Sequence, residues 1–388
     1  MTKPKVNVAM IGSGFMGRTH SNGYHQVKSF FELPVEPVNK VLVARNPKTA
    51  EKLKQNFEWQ EVVPDWRDVV TRPDIDVIDI VTPVHTHCEI AVAAAEAGKA
   101  VICEKPLAGN LEDAEAMAKA VAKANVVSMC FYNLRKIPAL AFAYEMIEQG
   151  LIGTINQWRG AFMQSWLVNP DFPLTWRLKK ETAGSGALAD LGSHSIDLAR
   201  YLVGEIQEVV GWMNTFTKFR PIPIKDEGRF SQPSGEMGEV SVDDSVWSIL
   251  KFETGAQGSM EATRMATGRL CANQVEIYGS EGGIMFDFMD MNHLQYFSLK
   301  DPEAVRGWRK INATSRLHPY MKAWWPPGHA LGYEHTFVHA LADFFNAFTR
   351  DESPAPDFGD AAQTQAVLEA IETSANTQQW VNVKKIER

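Results

Sequence analysis

The run Val6-Asn7-Val8-Ala9-Met10-Ile11 passes without a spacer into Gly12-Ser13-Gly14-Phe15-Met16-Gly17 and then into a helix-patterned segment. A strand, a glycine turn and a helix start in immediate succession point to the first crossover of a parallel sheet. In that arrangement Gly12 permits the tight turn and Gly14 lets backbone N–H groups approach a pyrophosphate. Gly17 lets the helix press on the strand while its positive end faces the phosphates. The motif therefore predicts dinucleotide binding, with Phe15 and Met16 lying among the glycines at the cofactor.

The pattern continues as such a sheet requires. From Val6 to about Met129, short β-branched runs at 6–11, 40–44, 76–81, 100–103 and 126–130 alternate with helical segments at 16–29, 49–56, 87–97 and 111–124. The stretch Phe30 to Pro37 is too apolar for a linker and too rich in proline for a helix, and is expected to be an irregular loop. After Arg135-Lys136-Ile137-Pro138 the period changes. One helix to Glu148 precedes period-two runs at 156–162, 208–216, 246–252, 256–262 and 274–278. Helices at 334–349 and 359–378 close the chain, and Phe219 to Gly238 reads as a loop crossing between strands.

The expected fold is α/β. Residues 1–130 form an NAD(P)-binding Rossmann domain with a doubly wound parallel sheet, and 131–388 an α/β domain for substrate binding and oligomerisation, built on a large, open, mostly antiparallel sheet. A bare sheet face exposes apolar surface, so a homo-oligomer, dimer or tetramer, is expected through the C-terminal sheet.

Composition removes several classes of partner. The formal net charge is -8 and the basic residues are scattered, which excludes a phosphate-backbone footprint and hence nucleic acid. Apolar stretches such as Val77 to Val84 are broken by Asp or Pro well short of the roughly 20 residues that span a bilayer, so no membrane is expected. No secretory pattern precedes Val6, and the four cysteines lack Cys-x-x-Cys spacing; a cytoplasmic location is expected.

Further polar residues fall where strands should end, beside the cofactor crevice. The second strand ends in Ala44-Arg45 where an NAD site usually carries Asp or Glu, so Arg45 could meet the 2′-phosphate of NADP, stack over adenine, or be a surface residue. Thr82, Pro83 and His87 follow another strand; His85-x-His87 lacks a nearby acidic or thiolate partner, and no metal is expected. Glu104-Lys105-Pro106 follows a third, with Pro106 biasing Lys105 toward an extended conformation. In Gly186-x-x-x-Asp190-x-Gly192-x-His194-x-x-Asp197 the three polar side chains recur at i, i+4 and i+7 amid leucines, which predicts a buried polar stripe on one helix face.

Taken together, Gly12-x-Gly14-x-x-Gly17, Glu104-Lys105-Pro106 and the Gly186 to Asp197 motif resemble the signature of the glucose-fructose oxidoreductase/inositol dehydrogenase/MocA family. Within it, Phe172 to Arg177, Ala183 to Leu188 and Ala199 to Glu205 are most similar to the levoglucosan dehydrogenase branch and related bacterial sugar dehydrogenases. Val84 and Leu134 depart from the family, where Asn and Tyr are frequent. The resemblance implies Lys105, Asp190 and His194 as catalytic residues, NAD as cofactor with NADP left open by Arg45, and a sugar or polyol hydroxyl as the group oxidised.

Hydride can leave a carbinol carbon only as its hydroxyl proton is removed. The expectation is that His194 or Lys105 acts as base, with Asp190 orienting the imidazole or binding a neighbouring hydroxyl. Arg177 and Asn133 would hold hydroxyls, and Trp166 or Trp176 would either face the sugar or pack in the core. Two rivals are a glycosidase working through transient sugar oxidation, distinguished by the lack of net NADH, and a nucleotide-binding regulator without turnover.

Overall fold

The computed structural model describes residues 3–225 and 231–387. It divides into two compact units. One takes in residues up to 136 together with 331–362 and 386 onward, and the other takes in 137–330 and 363–385.

The first unit is built on six strands, β1 (Lys5–Ile11), β2 (Glu36–Val43), β3 (Glu61–Val63), β4 (Val77–Ile80), β5 (Ala100–Cys103) and β6 (Ser128–Cys130), in the order β3-β2-β1-β4-β5-β6. Every pairing is parallel. All residues of β4 and β5 are buried, as befits strands covered on both faces. The order reverses between β1 and β4, and in such sheets that switch opens a crevice at the carboxyl ends. The crossover helices are Phe15–Phe30, Pro47–Phe57, His87–Glu96 and Leu111–Ala124. Their ends follow from local chemistry: Asn46 caps Lys48 and Thr49 ahead of Pro47, Asn110 caps Asp113, and Asn125 closes its helix in the left-handed conformation.

This is the doubly wound sheet that the sequence predicts, with two corrections. β2 begins at Glu36, so the irregular segment is reduced to residues 31–35; Pro37 stands opposite Val6 near the start of the strand, where its missing N–H is tolerated. The three-residue β3 and the short helix Arg67–Val70 are additional. The helix His335–Phe348 packs on Phe15–Phe30, and a Cβ at Gly23 would lie 2.9 Å from Leu341 Cδ1, so the glycine sets how closely the two approach.

The second unit carries β7 (Ile155–Met163), β8 (Ile206–Asn214), β9 (Phe219–Pro223), β10 (Pro233–Glu239), β11 (Ser245–Phe252), β12 (Gln257–Thr263), β13 (Ala272–Gly279), β14 (Gly282–Asp287), β15 (His293–Ser298), β16 (Arg309–Asn312) and β17 (Val381–Asn382). Nine of them form one sheet in the order β16-β15-β14-β13-β7-β12-β11-β8-β17. Only the β7–β12 pair is parallel. The predicted open, mostly antiparallel sheet is thus present, and larger than the five runs suggested. The helices Pro138–Glu148 and Ser193–Val203 pack on it.

Residues 219–238, expected as a crossing loop, instead supply β9 and β10, a separate antiparallel ribbon; residues 226–230 of that stretch lie outside the described residues. Pro221, Pro223 and Pro233 hid it. A two-stranded ribbon has free edges, where a residue without an N–H interrupts nothing.

Candidate active site

At the cofactor end of the first unit, Gly12 follows β1 with φ +125°, a conformation that L side chains rarely adopt, and its N–H donates to Val43 O at 2.9 Å. A Cβ on Gly17 would lie 2.5 Å from Gly12 O, whereas one on Gly14 would meet nothing within 4 Å. The turn is therefore tight on the protein side and open on the outside. Gly14 caps the helix without any side-chain hydrogen bond, and no acidic residue stands in the first turn. Unsatisfied N–H groups, helix dipole and open space suit a dinucleotide pyrophosphate. Phe15 is exposed at the mouth and Met16 half-buried.

Arg45 is exposed just beyond β2, one residue before the Asn46 cap. Beyond β4, Thr82 Oγ1 and Thr86 Oγ1 lie 2.6 Å apart, and Thr86 also donates to Pro83 O. His87 is buried, with ring nitrogens 2.9 Å from Thr82 O and 3.1 Å from Leu107 O, so it ties together the loops that follow β4 and β5. Burial lowers its pKa. Among the described residues no group of three or more His, Cys, Asp or Glu is gathered for a metal.

Lys105 follows β5, half-buried, and its peptide bond to Pro106 is cis. Behind it lies a buried polar cluster that the sequence reading did not assemble. His20 Nδ1 is 2.8 Å from Asp79 Oδ2, and His20 Nε2 is 2.9 Å from Glu104 Oε1. Tyr24 donates to Asp79 Oδ2, and the Lys105 N–H donates to Glu104 Oε2 at 3.0 Å. Burial alone would lower the His20 pKa, but the two carboxylates outweigh it and raise the pKa to about 9. The signal was available in Val77-Ile78-Asp79-Ile80-Val81, because a carboxylate inside a buried strand must find a donor. Asn133 is buried elsewhere in this unit, donating to Thr336 Oγ1 at 2.8 Å.

In the second unit, the Gly186 to Asp197 motif does not form one regular helix. Leu188–Gly192 is a π-helical turn and Ser193–Val203 an α-helix, so the turn bearing Asp190 is widened relative to the turns that follow. The i, i+4, i+7 stack on one face is corrected accordingly. Asp190 is half-buried, while His194 and Asp197 are buried. The preceding loop is fixed by Asp243, which accepts from Gly186 N at 2.6 Å and Leu188 N at 2.9 Å, and whose backbone carbonyl accepts from Ala187 N and from Arg264 Nη2. Burial pushes the Asp243 carboxyl up, opposed chiefly by the Arg264 guanidinium.

Around this turn, the Phe162 ring is 5.8 Å from that of His194. Trp166 is half-buried, edge-on to Phe172 at 5.1 Å, with the Arg264 guanidinium 5.5 Å from its ring; Arg177 stacks over Trp176 at 4.2 Å. Two residues not predicted stand out. Asn273, directly across the sheet from Phe162, is buried with both amide atoms lacking a partner among the described residues, as is Gln164 Oε1. Buried amides without partners are costly, and hydroxyl groups would satisfy them.

Comparison with known proteins agrees across both units. Residues 6–132 match the model of an oxidoreductase family with an NAD-binding Rossmann fold, and residues 140–285 match the GFO/IDH/MocA C-terminal domain. A levoglucosan dehydrogenase of Pseudarthrobacter phenanthrenivorans is 42% identical over 386 residues, covering 98% of this chain and 99% of the relative. A scyllo-inositol 2-dehydrogenase (NAD(+)) of Bacillus subtilis is 29% identical, over 76% and 78% of the respective chains. Among solved structures, a levoglucosan dehydrogenase in complex with NADH and L-sorbose superposes with a TM-score of 0.94 at 42% identity, covering 99% of this chain and 100% of the other.

Proposed function

Because this chain belongs to the glucose-fructose oxidoreductase, inositol dehydrogenase and MocA (GFO/IDH/MocA) family of NAD-binding oxidoreductases, we propose that it is a dehydrogenase oxidising a ring hydroxyl of a sugar or polyol, with an anhydrosugar of the levoglucosan type as first candidate. The carrying observation is the glycine turn after β1, closed against Gly12 by Gly17 and open at Gly14. We assign residues 1–130 to cofactor binding and, of the remainder, 137–330 with 363–385 to substrate binding and assembly, since 331–362 pack with the first unit.

Bound there, NAD supplies a nicotinamide ring that accepts hydride from the carbinol carbon. The chain's own residues do the rest. Gly12, Gly14, Phe15, Met16 and Gly17 hold the dinucleotide, and Thr82, Pro83 and His87 shape the adjoining edge. The His194 imidazole takes the hydroxyl proton, Asp190 orients that imidazole or binds a neighbouring hydroxyl, and the Lys105 ammonium stabilises the developing alkoxide. Arg177, Gln164 and Asn273 hold further hydroxyls, with Trp166 against a sugar face. Asn133, already engaged by Thr336, acts at most through that contact.

We assign the open sheet to a homo-oligomer contact. The four cysteines carry no disulfide, and they fit a reducing, cytoplasmic setting.

The test is a plate of anhydrosugars, inositols, aldoses and glycosides with NAD and with NADP. Net NADH is expected with a sugar or polyol; release of an aglycone without net NADH would replace the dehydrogenase by a glycosidase. His194→Asn and Lys105→Ala should each lower turnover by roughly 10²–10⁴-fold. Near-normal rates in a folded variant would remove that residue from the mechanism.

A further inference from the structure

Two carboxylates face one buried imidazole. His20 is fully buried, and its two nitrogens lie 2.8 and 2.9 Å from Asp79 and Glu104. A neutral imidazole has one N–H and one lone pair, so it can donate to one carboxylate only; an imidazolium donates to both. Each carboxylate is also an acceptor elsewhere, Asp79 Oδ2 from Tyr24 and Glu104 Oε2 from the Lys105 N–H, which suits two anions around one cation; a neutral ring would require one of the two carboxyls to carry a proton in its place. The ring is held in place by Phe131 at 4.2 Å and Phe337 at 5.5 Å between centroids. Within a single unit, therefore, the helix after the glycine turn, β4 and the end of β5 are joined through one imidazole ring.

We propose that His20 is a positioning residue: held as an imidazolium between Asp79 and Glu104, it fixes the Glu104 carboxylate against the Lys105 backbone and so fixes where the Lys105 ammonium is presented. This rests on the reading of Lys105 as a group that acts on the substrate hydroxyl. Glu104 is thereby a support for Lys105, since its two oxygens are turned to His20 and to the Lys105 N–H. A charged ring suits the task because charge-assisted hydrogen bonds are the stronger ones, and an unpaired carboxylate here would be buried without compensation.

The experiment compares the full chain with its His20→Gln, Glu104→Gln and Glu104→Ala variants. In His20→Gln, kcat should fall at least tenfold while the Kd for NADH, measured by fluorescence titration, changes less than threefold. Glu104→Gln can still accept from the Lys105 N–H through its oxygen and donate to a neutral His20, so it should retain at least tenfold more turnover than Glu104→Ala. Two readouts need no substrate. Imidazole ¹⁵N spectra should show both His20 nitrogens protonated at pH 7.5, and the rate of acetylation of Lys105 should change at least threefold in His20→Gln while that of Lys123 does not.

A His20 ring neutral at pH 7.5 overturns the proposal. So do a folded His20→Gln variant with kcat and Lys105 labelling both within twofold of wild type, or equal turnover in the two Glu104 variants. If the wild-type chain oxidises nothing on the sugar plate, the functional reading fails, and the spectra and the labelling still decide what His20 does.

Discussion

His20 also makes the fold sensitive to alkali. Its folded pKa, about 9, lies above the ordinary 6.5, so its contribution is complete below about pH 6.5 and is lost as pH rises through 9. The groups facing the ring are Asp79 and Glu104, with Tyr24 and the Cys103 thiol nearby. Burial pushes both Tyr24 and Cys103 up, so both stay protonated across this window. The unfolding free energy from urea titrations should therefore decline between pH 7 and 9.5, by an amount on the order of 2 kcal/mol, and His20→Gln should flatten that slope; a wild-type stability that does not move would refute the coupling. At this scale the sequence is only partly informative. The Gly12 turn is legible because its neighbours form a motif, and the motifs around Lys105 and His194 mark those two as candidates. His20, Glu104 and Asp79 meet through three separate elements, and nothing in linear spacing announces a three-way contact.

Among the elements, the turn Leu188–Gly192 shows how a loop can govern a helix. Asp243 collects two backbone N–H groups ahead of it, and a Cβ on Gly186 would fall 1.8 Å from Asp243 O, so any side chain there must move one strand of the contact. Gly186→Ala is expected to displace Asp190 and lower kcat by on the order of 10²-fold, since a shift of about 1 Å can cost that much, with the fold retained by circular dichroism. Unchanged kcat would show that Asp190 is positioned independently of this loop. The helices were legible because their apolar stripes and caps coincide; Leu111–Ala124 has Asn110 before it and Asn125 after it. β14, β15 and β16 were missed because glycines, charges and half-exposed faces blur the period of two, and β9 and β10 because prolines do.

For the molecule as a whole, the sheet of the second unit presents an unusual surface. Trp212 and Trp247 stand directly opposite on neighbouring strands, 66% and 60% exposed, with Ile249 beside them. Covering roughly 100 Å² of each indole would contribute about 2.5 kcal/mol per ring, which favours association through this face. Sedimentation should show an oligomer that Trp247→Glu dissociates; a monomeric wild type would sink the idea. The change of period near residue 136 was legible, because the pattern of alternating helix and strand stops there. The return of residues 331–362 to the first unit was not, because it rests on the fit of one helix against another, with Leu341 seated over Gly23, and not on any local pattern.

That return has a consequence for biosynthesis. The six-stranded unit opens the chain, yet it lacks one of its covering helices until about two hundred further residues have been polymerised. Until that helix is made, the Tyr24 and Phe131 side lacks the cover that Phe345 and Phe337 give it. Fragments cut near residue 136 would inherit the same exposure, whereas a fusion that restores residues 331–362 would relieve it.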